Sequence, residues 1–184
     1  MKFISATLLL IAISFACRCQ IQSSAIREKI KLLQPFEGKW VAEVKLHSRD
    51  GRTVEEAGTY DISWVLDCTY LQWQAYLRSK KDTNWLRNFI IFITYNPDSS
   101  RYENLYLYRA SAMKVFEHGS FNPVTKEYTT SAFIPLEDGS HDEHVRTITK
   151  ISGDNNHVTY VHFSRYSDEK EETLDFEADL KRID

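Results

Sequence analysis

The chain has 184 residues, 42% of them hydrophobic and 27% charged, with a formal net charge of −3, and it shows no basic cluster able to neutralise a row of phosphates, which argues against nucleic acid as a partner. Two of the three cysteines, Cys17 and Cys19, lie near the start and only Cys68 lies in the body, which excludes a disulfide framework. Stability must then come from burial, and a mature chain of about 165 residues buries about two thirds of its unfolded surface in one core.

Residues 1–19 read as a secretory leader: Lys2, then an apolar run from Phe3 to Ala16 that is shorter than the ~20 residues needed to span a bilayer. Two processing readings stand side by side. Ser14-Phe15-Ala16 offers a small-x-small site for cleavage near Ala16 or Cys19, giving a secreted or periplasmic protein; the same tripeptide ahead of Cys17 is a degraded lipobox, giving a lipid anchor on Cys17. Bulky Phe15 argues against lipidation. No other membrane segment follows, and residues 20–184 form the expected domain. Removing the leader takes Lys2 and Arg18 with it and leaves a net charge of about −5.

Ser23 and Ser24 are N-cap candidates for a short helix carrying Ile26, Ile30, Leu32 and Leu33, terminated by Pro35 and Gly38. So short a helix needs a partner, and packing as a plug against one end of the fold is expected. From Trp40 onward the segments are strand-like. Val41, Val44 and Leu46 precede an Asp50-Gly51 turn; Tyr60, Ile62, Trp64 and Leu66 alternate, as do Leu71, Trp73, Ala75 and Leu77. Residues 89–95 are apolar on both faces, which suggests a strand covered on both sides, and Asn96-Pro97 turns it back. Further strands are expected over 102–109, 113–121, 127–134, 143–151 and 157–166, with a last alternating segment through Leu174, Phe176, Ala178 and Leu180. The acidic tract Asp168-Glu169-Lys170-Glu171-Glu172 reads as the solvated turn before that last strand.

About ten antiparallel strands without crossover helices cannot stay flat without two long exposed edges, and closure removes those edges. The expected fold is therefore all-β: a single up-and-down barrel with a short N-terminal helix. A two-sheet sandwich ranks lower because every link looks like a hairpin.

Phe36-Glu37-Gly38-Lys39-Trp40 with Glu43 beyond it, Val65-Leu66-Asp67 with Tyr70-Leu71, Ile93-Thr94-Tyr95-Asn96-Pro97 and Glu117-His118-Gly119-Ser120-Phe121 occur in an order that resembles an uncharacterised, mostly bacterial family of lipocalin-like proteins. The resemblance runs from about Leu32 to the end. This chain carries Asp67-Cys68-Thr69 where glycines are expected. The resemblance implies a calycin-type barrel and no reaction. It also implies that Trp40 seals one end of the barrel and that a late-strand arginine, with Arg146 the expected residue, stacks across its indole.

Candidate ligand-lining residues, taken as inward by alternation, are Trp40, Trp64, Trp73, Phe92, Tyr106, Phe116 and Arg146. The same aromatic residues can instead fill the interior. His141-Asp142-Glu143-His144 has a ligand-like composition, but an extended strand splits it between two faces, so a metal site would need His118 or His162 from elsewhere. An inward histidine acting as a haem ligand is a related reading, with no cofactor motif behind it, and no cofactor is assigned. Cys68 sits beside Asp67, whose charge disfavours a thiolate, so no nucleophile is assigned either. The expected function is a non-catalytic exported protein holding a small apolar or amphipathic molecule in the barrel. The alternatives are acid/base chemistry by His118, His144 or His162 with a carboxylate, and a filled barrel serving as an assembly module.

Overall fold

Alternation of inward and outward residues, interrupted by turns rich in Asn, Asp, Gly and Pro, leaves this chain little choice but consecutive hairpins. In the computed structural model, which describes residues 24, 26–79, 81, 83–109, 114–135 and 142–184, ten strands follow in chain order. They are β1 (Gly38–His47), β2 (Thr53–Val65), β3 (Tyr70–Ser79), β4 (Leu86–Asn96) and β5 (Arg101–Tyr108). After them come β6 (Lys114–Asn122), β7 (Glu127–Pro135), β8 (Asp142–Ile151), β9 (His157–Tyr166) and β10 (Thr173–Arg182). Each strand pairs antiparallel with its neighbours in sequence, and β1 pairs with β10, so the sheet closes into an up-and-down barrel. This is the expected fold, with register shifts only in the β3–β4 and β9–β10 pairings. The leader, including Cys17 and Cys19, lies outside the described residues, as does His141. Among the described residues no helix is long and apolar enough to cross a membrane.

Residues 26–30 are helical and run into a 3-10 helix, Lys31–Phe36. Ile30, Leu33 and Phe36 are buried while Leu32 is exposed. A helix of three residues per turn puts positions i, i+3 and i+6 on one side, so this stripe replaces the expected one through Leu32. Pro35 lies inside the 3-10 helix instead of ending it, and the last turn is closed by the Glu37 amide donating to the Gln34 carbonyl at 3.1 Å. The helix plugs one end of the barrel: Phe36 packs on Trp73 and Phe121 at 5.7 and 6.2 Å between ring centroids, and the Tyr102 hydroxyl donates to the Lys29 carbonyl at 2.7 Å. Burying side chains such as Ile30, Leu33 and Phe36 contributes about 1.5–3 kcal/mol each.

Two expectations about faces fail. Leu66 belongs to the β2–β3 turn, where Leu66, Asp67 and Cys68 all have left-handed backbones (φ 50°, 54° and 63°), so the glycine-favouring conformation persists without the glycines. The outer face of β4 is not covered by any described element. Phe92 there lines an external groove of about 330 Å³ with Leu66, Tyr70, Leu105 and Phe116. The acidic tract is the β9–β10 turn, as expected, and two of its members work at the barrel rim: Glu169 pairs with Arg49 and Glu172 with Arg146, both at 2.5 Å.

Candidate functional site

The plugged end is built around Trp40. Its indole donates to the Phe36 carbonyl at 3.0 Å, and the Arg182 guanidinium lies 4.2 Å from its ring centroid. Arg182 also donates to the carbonyls of Pro35 (2.7 Å), Glu37 (2.6 Å) and Asn155 (3.0 Å), tying β10 to the helix and to the β8–β9 turn. A Cβ on Gly38, whose φ is +136°, would stand 2.2 Å from Arg182 Nη1, so glycine there is required by the guanidinium as well as by the backbone. The indole is therefore capped by an arginine of the last strand, as the lipocalin-like resemblance implies, but the residue is Arg182. Arg146 is on the outer face of β8, between Glu172 and the Phe163 ring (4.6 Å). Its neighbours Val145 and Thr147 point inward, which forces it outward.

Toward the other end the interior turns polar. Asn104, Glu117, Thr130, Thr147 and Thr149 are buried on adjoining inward positions of β5 to β8. Glu117 is only 1% exposed; the Thr130 hydroxyl donates to its Oε2, while Oε1 has no hydrogen-bond partner of normal geometry. Burial raises the Glu117 pKa to about 7, partly offset by Thr130, Tyr106 and Asn104. The Tyr128 hydroxyl donates to Asn104 Oδ1 at 2.5 Å. Gly119 makes room for this layer, since a Cβ there would meet Thr130 Cγ2 at 2.6 Å and the Tyr128 hydroxyl at 3.1 Å. A residual void of about 10 Å³, no larger than one water, lies among Trp73, Asn104, Tyr106, Tyr128, Thr130 and Tyr160.

Beyond Tyr106 and Tyr160 the barrel opens. A cavity of about 130 Å³ is walled by Phe89, Tyr106, Tyr108, Tyr160 and Phe176, with Asn88 and His162 as polar members. Tyr106 and Tyr108 stack at 5.9 Å, Phe89 meets Tyr108 at 6.4 Å, and Tyr160 meets Phe176 edge-on at 5.4 Å. His162 Nδ1 is 2.9 Å from the Thr147 hydroxyl, and burial lowers its pKa, opposed by Asp175, so the imidazole is neutral near pH 7. Burial also raises the Tyr106, Tyr108 and Tyr160 hydroxyl pKa values, and the Glu117 charge adds to the effect at each. Tyr106 and Tyr160 border both the cavity and the inner void and so separate them.

A family model described as "Protein of unknown function (DUF1579)" matches residues 26–182. The chain belongs to that family. The match spans nearly all the described residues and agrees with the lipocalin-like resemblance of the sequence. The solved S-type phycobiliprotein lyase CPES from Guillardia theta covers 84% of this chain and 92% of its own, with a TM-score of 0.57 and 10% identity, a likeness of fold. No curated protein matches the chain.

Against this DUF1579 barrel, the seven residues expected to line a cavity divide into three groups. Trp40, Trp64 and Trp73 point inward but belong to the plugged half, where they are packed; the Trp64 indole donates to Glu37 Oε2 at 2.9 Å. Tyr106 alone reaches the open cavity. Phe92, Phe116 and Arg146 point outward, and Phe116 is 64% exposed. Their phase was misassigned because β4 is apolar on both faces and β6 places a carboxylate, Glu117, inside. Among the histidines, His118 is on the outer face of β6, His144 is on the outer face of β8 against the Phe133 ring (4.8 Å), and His162 faces the cavity. Among the described residues no three His, Cys, Asp or Glu side chains gather as a metal site. Cys68 is exposed in its turn. The residues missed in the sequence include the cup walls Phe89, Tyr160 and Phe176 and the buried polar Glu117 and Asn104. The available signal was Glu117 and Gly119 sharing an inward phase with Val115.

Proposed function

We propose that this protein is an exported, non-catalytic binding protein that seats one end of a small amphipathic molecule in the open end of its barrel. The aromatic cup of Phe89, Tyr106, Tyr108, Tyr160 and Phe176, open to solvent and with Asn88 and His162 as its polar members, carries this reading. Its volume suits one ring or one branched head group; pockets that engulf a whole ligand are usually about 300–1,000 Å³. The remainder of the molecule lies toward the rim. That a phycobiliprotein lyase uses the same fold is in keeping with a working interior. Native mass spectrometry of the protein from its own host, followed by denaturation, tests the reading. Release of a stoichiometric small molecule supports it, and an empty protein that also takes up no aromatic probe by calorimetry defeats it.

The external groove of Leu66, Phe92, Leu105 and Phe116 favours a second reading, assembly through the outer wall. Sedimentation of the wild type and of Phe116→Lys separates the two: an oligomer dissociated by the substitution supports assembly, and a monomer in both cases removes it.

A further inference from the structure

Resting on the binding reading, we propose that the molecule taken by the cup is an organic cation, an ammonium carrying apolar substituents. Three observations converge on that class. The walls are aromatic, and the faces of Tyr and Phe rings attract a cation within about 6 Å of the centroid. The charges that act on the cup are acidic. Glu117 acts on the hydroxyls of Tyr106, Tyr108 and Tyr160 from below, Glu143 acts on Tyr108, and Asp175 acts on His162. Glu117 also keeps one carboxylate oxygen without a hydrogen-bond partner of normal geometry while almost fully buried; the Tyr60 hydroxyl and the Trp73 indole N–H are likewise unpartnered in the interior but are neutral, whereas Glu117 is an acid.

Basic groups do not balance these acids inside the cup. Its described lining includes no lysine or arginine. Arg49, which lies near Asp175, is held by Glu169 at 2.5 Å and Ser164 at 3.1 Å and stacks over Tyr166 at 3.8 Å. Arg146 is engaged by Glu172 on the outside. His162 is neutral. A carboxylate or phosphate ligand would enter beside these acids with no lysine or arginine in the described lining to receive it, since Arg87 and Arg109 lie on the outer groove that shares Asn88, Phe89 and Tyr108 with the cup, whereas an ammonium meets aromatic walls and negative charge. Its arrival favours the ionised form of Glu117, so its affinity rises with pH between about 6 and 8.

Three probes of similar size decide the matter by isothermal titration: benzyltrimethylammonium, its uncharged isostere neopentylbenzene, and phenylacetate. The cation is expected to bind at least tenfold more tightly than either of the others at pH 8, and to lose about tenfold in Glu117→Gln, in which the affinity for the isostere is unchanged. Asp175→Asn, at the rim, provides a second variant should Glu117→Gln fail to fold, with a loss of about threefold expected. Equal or tighter binding of the isostere overturns the cation class and leaves the binding reading standing. Tighter binding of phenylacetate also overturns it. Binding of none of the three defeats both.

Discussion

The two ends of this barrel use aromatic residues for opposite purposes. At the plugged end Trp40, Trp73 and Phe36 are buried under a helix, and the Arg182 guanidinium satisfies three backbone carbonyls while stacking on Trp40. At the open end Tyr106, Tyr108, Phe89 and Phe176 leave a cavity of about 130 Å³, and the nearby carboxylate, Glu117, has an oxygen unmatched. The first arrangement fills its space and so serves stability, and the Trp73 indole N–H that it leaves without a partner is a neutral group. The second tolerates an unsatisfied buried acid, a cost that folding alone gives no reason to keep, and regions of that kind are where function is expected.

Arg182→Met should produce the largest effect if the contrast holds. It strands the carbonyls of Pro35, Glu37 and Asn155 and removes the stack, at about 3 kcal/mol in urea unfolding. Gly38→Ala, which drives a Cβ into the same guanidinium, should cost about 2 kcal/mol. A loss below about 0.5 kcal/mol for Arg182→Met would break the comparison at its plugged end.

Glu117→Gln should act in the opposite direction. Because burial raises the pKa of Glu117 from 4.5 to about 7, the folded state holds more protons than the unfolded state between those values, so wild-type stability falls as pH rises from about 4.5 to about 7 and stays low above. The variant should therefore be more stable by about 2 kcal/mol at pH 8 and show little difference at pH 4.5. Equal melting curves at pH 8 would mean that the carboxylate is satisfied after all and that the two ends do not differ in kind.

Cys68→Gly should add about 1 kcal/mol by relieving one left-handed residue in the β2–β3 turn, as read by thermal unfolding. The smallest effect on stability is expected for Tyr108→Leu in the cup. It keeps an apolar side chain at a partly open site and should change unfolding by less than about 0.5 kcal/mol. Its consequence should appear in ligand affinity, and a large stability loss without one would make the cup part of the core.

Much of the fold was legible locally. Hairpin turns such as Asp50-Gly51 and Asn96-Pro97, strand lengths near ten residues and the absence of crossover helices are readable in the chain, and together they leave a closed meander as the economical answer. The site was legible only in part. Tyr106 was found because β5 alternates cleanly, and His162 was found as a histidine without a known face. Phe116 was assigned to the wrong side because polarity was taken to mark the outside, whereas β6 puts Glu117 inside; Arg146 was placed inside on the lipocalin-like resemblance, whereas β8 puts Val145, Thr147 and Thr149 inside.

The sequence by itself determined the strands and their order, because period-two patterning and turn chemistry are properties of neighbouring residues, and the place of Trp40 at the plugged end followed from the lipocalin-like resemblance. Only the tertiary structure decided which arginine covers that tryptophan and which face of β4 and β6 looks inward. It also decided that the open space lies away from Trp40, Trp64 and Trp73. Those outcomes depend on closing β1 against β10 and on the stagger of neighbouring strands, contacts between residues more than a hundred positions apart that no local pattern encodes.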